Sequence, residues 1–175
     1  MNETPDDLTR LQQILDDSYA ASGVHLREVI APERRLDAAS LAARLDGMKL
    51  LVPATATADG RPICGPVDGI FHRASFYFGS SPESIRFRHI RQRPAVSATH
   101  LDGEEFSVTV HGAATEIDLK SAAHAEFRRT LLDVYLPRYG EQWERFIDSG
   151  PVYARIDARR IFTYYMPPGQ EVQLT

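Results

Sequence analysis

Between residues 49 and 166 the chain alternates short β-branched and aromatic runs with turns too tight to hold a crossover, and this fixes more about its fold than anything else in it. Asp59-Gly60 and Asp102-Gly103 are the pairs that two-residue hairpin loops favour. Arg73-Ala74 separates two further apolar runs by the same short distance. Such loops force their flanking strands to be antiparallel neighbours. The runs read as strands over 49–57, 62–72, 75–79, 95–101, 106–117 and 152–166. A helix over 82–92 is inserted between the third and fourth. A set of six antiparallel strands avoids exposed edges by closing on itself. The expected fold is therefore mainly β, a six-stranded antiparallel β-barrel with peripheral helices.

The remaining segments carry helical spacing. Leu8, Leu11, Ile14, Leu15 and Tyr19 recur at the period of one helix face. Residues 21–35, with Pro32 and a charged Glu33-Arg34-Arg35 run, read as a connector. A helix over 38–46 is expected, with Asp37 as N-cap and Gly47 as its stop. Residues 118–136 are helical in pattern, Pro137 is expected to end that helix, and a short helix follows near 141–147. The chain divides on this reading into a helical extension, 1–35, and a barrel domain, 36–175.

With 175 residues, 43% hydrophobic and 25% charged, the chain has the makings of one globular domain. A net charge of -4 argues against a general nucleic-acid binder. Cys64 is the single cysteine, so no internal disulfide forms. The acidic start Asn2-Glu3-Thr4-Pro5-Asp6-Asp7 is not a secretory leader, and no apolar run approaches the roughly 20 residues of a membrane span. A cytoplasmic location is expected.

No metal-binding, Walker, Gly-x-Gly-x-x-Gly or Gly-x-Ser-x-Gly pattern occurs. The segment that stands out is Gly79-Ser80-Ser81-Pro82-Glu83-Ser84-Ile85-Arg86-Phe87-Arg88, where a strand hands over to a helix. Ser81 is placed to cap that helix and Pro82 to occupy its first position. Free N–H groups at a helix start attract anions. The hydroxyls of Ser80, Ser81 and Ser84 and the planar guanidinium of Arg86 add donors suited to a phosphate. Taken alone, the segment reads first as ordinary capping. Arg86, Arg88, Arg91 and Arg93 do not form one stripe, because at 100° per residue Arg88 and Arg91 point away from Arg86 and Arg93.

In order, the runs Ala54-Thr55-Ala56-Thr57-Ala58-Asp59-Gly60-Arg61-Pro62, Gly65-Pro66-Val67, Phe76-Tyr77-Phe78-Gly79-Ser80, Ser84-Ile85-Arg86-Phe87-Arg88-His89-Ile90, Arg93-Pro94-Ala95-Val96-Ser97 and Val108-Thr109-Val110-His111-Gly112-Ala113-Ala114 resemble the pyridoxamine 5'-phosphate oxidase-like split-barrel family of flavin- and deazaflavin-binding proteins. The likeness spans about residues 36–118. Arg155-Ile156-Asp157 and Ile161-Phe162-Thr163 resemble the family's last strand. The resemblance implies a split barrel and a homodimer with FMN at the subunit interface. It places Gly79 and Ser80 at the ribityl phosphate and Arg86 where the family usually has a phosphate-binding Lys. Ser81 and Ser84 belong to the same corner. It runs Cys64, Gly65, Pro66, Val67 and Asp68 beside the flavin ring. Ser107 falls where a Gln often contacts the cofactor from the partner strand. Ile85 stands where true pyridoxamine phosphate oxidases place an Arg. Their C-terminal Trp and Arg substrate motif has no match, so vitamin B6 synthesis is not expected.

Three functions follow. The first is an FMN-dependent oxidoreductase whose substrate the sequence does not reveal, the flavin carrying the chemistry. The second is a reductase using F420, whose anionic tail would suit Arg27, Arg34 and Arg35. The third is a flavin- or haem-binding protein without turnover. Among the histidines, His25, His72 and His124 read as structural or surface groups, and His100 as a residue near a strand end. Ser107, Thr109 and His111 share one strand face, turned together toward a cofactor or toward solvent. Cys64 lies near the flavin or acts as a small hydrophobe. Glu104 and Glu105 flank a turn and read as solvated. Phe71, Phe76, Tyr77 and Phe78 are expected in the barrel core or a dimer interface.

Overall fold

The computed structural model describes residues 2–167. Seven strands, β1 (Met48–Ala56), β2 (Pro62–Cys64), β3 (Val67–His72), β4 (Ser75–Ser80), β5 (Ala95–Asp102), β6 (Phe106–Ile117) and β7 (Val152–Tyr165), run in the order β2-β1-β3-β4-β7-β6-β5. Pairing of β1 with β5 closes the set, and every ladder is antiparallel. The result is a closed six-stranded barrel with one additional short strand.

The seventh strand comes from a break in the expected 62–72 run. β2 pairs with Ala54–Ala56 and β3 with Met48–Leu51, so both lie along β1 and continue one another. Gly65-Pro66 separates them, since Pro66 has no N–H to give a ladder. All three hairpins form, but the Asp-Gly turns close over three residues (58–60 and 103–105), and only Arg73-Ala74 is a two-residue loop. Gly60 and Gly103 take φ of 85° and 61°, and Arg73 and Ala74 take 51° and 59°, an arrangement matched to strand twist.

Alternation of apolar and polar residues places two cores on the two faces of the sheet. Phe71, Phe76, Phe78, Val108, Val110, Ile156 and Ile161 fill the barrel interior at 4% exposure or less. The outward side chains Ile70, Tyr77 and Tyr153 form a second core with Phe127, Leu131 and Tyr135 of helix α5 (Ala125–Tyr139). Pro137 lies inside α5 rather than ending it. It forgoes only the one bond its N–H would make to the Asp133 carbonyl, little helix follows it to be misaligned, and Gly140 at φ 73° stops the helix. Helix α6 (Gln142–Ser149) follows. Residues 118–124, expected in the helix, instead hold a turn and a short 3-10 segment before it.

Helix α1 (Pro5–Ala20) starts with a capping box. The Asp7 N–H donates to Thr4 Oγ1 at 3.2 Å and the Thr4 N–H to Asp7 Oδ2 at 2.9 Å. Its Leu11 and Leu15 join the barrel's own core cluster, alongside Leu41 of helix α3 (Ala38–Arg44). The expected connector contains helix α2 (Val24–Val29) and a 3-10 turn at Pro32–Arg34. Asp37 caps α3 as expected, accepting from the Ser40 N–H at 2.7 Å.

The Arg73-Ala74 turn ties α1 to α5, because Arg73 reaches Asp7 at 3.1 Å and Glu126 at 2.7 Å. Burial pushes the Asp7 carboxyl up, but hydrogen bonds from Thr4 and Arg73 and the charge of Arg10 together hold it below 3.8. A depressed carboxyl stabilises the fold above its unfolded pKa, and that contribution is lost as pH falls through the folded value. Asp7→Asn is therefore expected to cost about 1 kcal/mol near neutrality. Urea titrations at decreasing pH check this, with the gap between the two proteins closing below the ordinary aspartate range.

Candidate functional site

The handover from β4 to helix α4 (Ile85–Gln92) differs from the expected one. The helix begins at Ile85 with Ser84 as N-cap, its Oγ accepting from the Phe87 N–H at 3.4 Å. Ser81 and Pro82 sit outside it, in a turn closed by the Ser84 N–H donating to the Ser81 carbonyl at 3.0 Å. Ser81 Oγ accepts from the Glu83 N–H instead. Two serines suited to capping precede this helix, and the one whose hydroxyl reaches a first-turn amide sets the start.

That shift puts Arg86 at the second helical position. Its Nη2 donates to the Gly65 carbonyl at 3.0 Å, stitching α4 to the break between β2 and β3. The side chain is half-buried, and burial lowers its pKa below the ordinary guanidinium value. Among the described residues Arg86 has no carboxylate partner, whereas Arg91 is paired with Glu116, Arg128 with Glu144 and Asp148, and Arg155 with Asp157. A half-buried guanidinium with unspent donors beside a serine-capped helix start has the donor set that an anion would use.

Next to this corner lies a cavity of about 620 Å³ between the outer face of β3, β4 and β7 and helices α5 and α6. Val67, Asp68, Gly79, Ser80 and Ser81 line it, so five of the eleven residues read from the sequence share one space. Gly79 is required there. A Cβ on it would stand 2.7 Å from Cε1 of Tyr153, whose ring lies across the strand. Gly65, Ser84 and Arg86 form the adjoining corner. Pro66 and Cys64 are exposed at its side, so Cys64 is not a buried hydrophobe.

Ser107 is not brought to this site within one chain. It faces outward from β6 opposite Tyr164, far along β7 from Tyr153. Thr109 and His111 share its outward face, bonded to Thr99 at 3.0 Å and Ser97 at 2.8 Å. Nor do Arg34 and Arg35 form an open basic groove. Arg34 is hydrogen-bonded to the Tyr164 hydroxyl, and Arg35 lies 4.3 Å over the Tyr19 ring. His72 and His89 are buried against Thr130 and Thr55, and His100 bonds the Leu50 carbonyl.

The sequence reading missed the aromatic wall of the cavity. Tyr77, Phe127, Tyr135, Tyr139, Trp143 and Phe146 line it with Tyr153. Tyr135 stacks on Trp143 at 4.4 Å and donates its hydroxyl to Asp68 at 3.1 Å. Burial, and then the negative charge of Asp68, raise both Tyr135 and Tyr153, the latter to about 12. The spacing of Tyr135, Tyr139, Trp143 and Phe146 is the one signal in the sequence that could have pointed to this wall.

The closed barrel with its helix between β4 and β5 fits the split-barrel fold of pyridoxamine 5'-phosphate oxidase-like proteins. No protein-family model matches the chain, and no curated protein matches it in sequence. A conserved hypothetical protein from Mycobacterium tuberculosis superposes with a TM-score of 0.66 at 18% identity, covering 82% of this chain and 96% of that one. An FAD-binding protein from Mesorhizobium loti gives 0.57 at 24% identity, over 74% and 93%. An F420 reductase gives 0.51 at 17% identity, over 68% and 93%. At these identities the likeness is one of fold. No helix among the described residues is long and apolar enough to cross a membrane.

Proposed function

We propose that the protein is an FMN-binding oxidoreductase in which Arg86, Ser84 and the Gly79-Ser80-Ser81 segment receive the flavin phosphate. The observation that carries this is Arg86, a half-buried cation positioned by the Gly65 carbonyl and left without an acidic partner among the described residues. A phosphate offers charge and several acceptor oxygens to such a fork. Residues 64–68, anchored to Arg86 through Gly65, stand beside it to take the ring. Fold neighbours that bind FAD or reduce with F420 support a flavin-type cofactor. The tail of F420 asks for a basic groove, and Arg34 and Arg35 are engaged elsewhere, which favours FMN. The flavin when bound supplies hydride or electron transfer, and the chain binds and orients it.

The assembly we infer is a homodimer. Leu50 and Leu101 are 58% and 63% exposed on the outside of β1 and β5, near Ser107 and Thr109 of β6. Pairing this face with a second chain buries apolar surface and gives Ser107 the only route by which it meets a cofactor. Dialysed protein mixed separately with FMN, F420 and haem tests the reading by absorbance. Flavin bands that stay with the protein through gel filtration, at twice the mass of the 19.6 kDa chain, are the expected result. Uptake of F420 alone, or a haem Soret band without flavin uptake, replaces it.

A further inference from the structure

The aromatic cavity holds more than a flavin corner requires. Its deep wall is Ile70, Tyr77, Phe127, Leu131 and Tyr153, all below 9% exposure, whereas Tyr139 and Phe146 stand 41% and 54% exposed. Its volume of about 620 Å³ falls in the usual range for small-molecule sites. The rings lie nearly parallel: Tyr135 stacks with both Trp143 and Tyr139, at interplanar angles of 14° and 23°. Their flat faces select planar ligands.

Charge narrows the class further. Asp68 is the sole acidic residue lining the cavity, and among the described residues it has no ion pair. No Lys, Arg or His lines the same space. The Tyr135 hydroxyl holds the carboxylate in place without neutralising it. Electron-rich ring faces and an uncompensated carboxylate both favour a cation and disfavour an anion.

We infer that this cavity is the substrate pocket and that it takes a planar aromatic bearing a positively charged nitrogen, stacked on the Tyr135–Trp143 array with its charged edge toward Asp68. The position of this ligand beside the cofactor rests on the function proposed above, because the cavity meets the flavin corner along Gly79, Ser80 and Ser81. Its charge and shape preference rests on the cavity alone. A substrate that brings a negative charge to the Asp68 edge is disfavoured by the same groups.

Trp143 is the single tryptophan and lines the pocket, so its fluorescence reports occupancy directly. Three tricyclic probes of like shape separate charge from stacking: 9-aminoacridine, a cation above neutrality, neutral acridine, and anionic acridine-9-carboxylate. In titrations of the dialysed full chain the cation is expected to bind roughly tenfold tighter than acridine, and the anion weakest. Asp68→Asn keeps an acceptor for Tyr135 and removes the charge. It should cut the preference for the cation severalfold, to the part the ring faces supply, and leave acridine affinity unchanged. Equal binding of all three probes, or a preference undiminished in Asp68→Asn, overturns the inference. FMN uptake measured on the same preparation keeps the two readings apart. Charge preference without FMN uptake sustains the pocket and sinks the cofactor assignment; FMN uptake without charge preference does the reverse.

Discussion

Arg86→Ala is expected to bind FMN with roughly 10- to 150-fold lower affinity than the wild type. This is the loss of about 1.5–3 kcal/mol associated with a hydrogen bond to a charged group. The side chain is half-buried at the start of α4, and among the described residues its one hydrogen bond is to the Gly65 carbonyl. The variant should therefore fold and keep its far-UV spectrum. Arg86→Lys retains the charge but offers a single point of contact instead of a planar fork, so its FMN affinity should fall between the two. Equilibrium titration followed by flavin fluorescence measures all three. Equal affinities in folded proteins would remove Arg86 from the site.

The largest expected effect on stability belongs to Gly112. Between His111, opposite Arg160, and Gly112, opposite Ala158, the β6–β7 ladder slips by one residue, which leaves Arg159 as the extra residue of a bulge. The backbones approach so closely there that a Cβ on Gly112 would collide with the Asp157 carbonyl and lie 3.1 Å from the Ala158 Cα. Neither obstacle is a flexible side chain. β6 and β7 form the longest ladder of the barrel, so the strain cannot be shed by local fraying. Gly112→Ala should cost about 3 kcal/mol, which lowers Tm by about 6–12 °C in a domain of this size. Thermal unfolding by circular dichroism checks it. An unchanged Tm would mean that the bulge accommodates a side chain. The atoms nearest its Cβ are the Asp157 and Ala158 backbone, none of them in the proposed phosphate corner, so whatever protein remains folded should bind FMN normally.

The barrel was legible because its determinants are local. Asp59-Gly60 and Asp102-Gly103 demand positive φ at their glycines, and the apolar alternation on either side fixes which face turns inward. The break at Gly65-Pro66 was missed: 62–72 read as one strand because both halves lie along β1 and carry the same strand pattern. The start of α4 was misread because Ser81-Pro82 and Ser84 both satisfy capping rules, and the choice depends on which hydroxyl reaches an amide in three dimensions. Pro137 misled for a similar reason, since its cost depends on how many turns follow it. The phosphate corner was partly visible, through Ser84 and Arg86. Its most telling property, a guanidinium with no acid beside it, appears only when every neighbouring carboxylate has been placed. The aromatic cavity was hidden because Asp68 and Tyr77 come from strands far in sequence from Tyr135, Trp143 and Tyr153.

The most direct test of the phosphate corner compares FMN with riboflavin, which carries the same ring and lacks the phosphate. If Arg86 and the serine-capped start of α4 receive that group, wild-type protein will bind FMN at least tenfold more tightly than riboflavin, and Arg86→Ala will lose most of that preference. Equal affinity of the wild-type protein for both flavins would contradict the account.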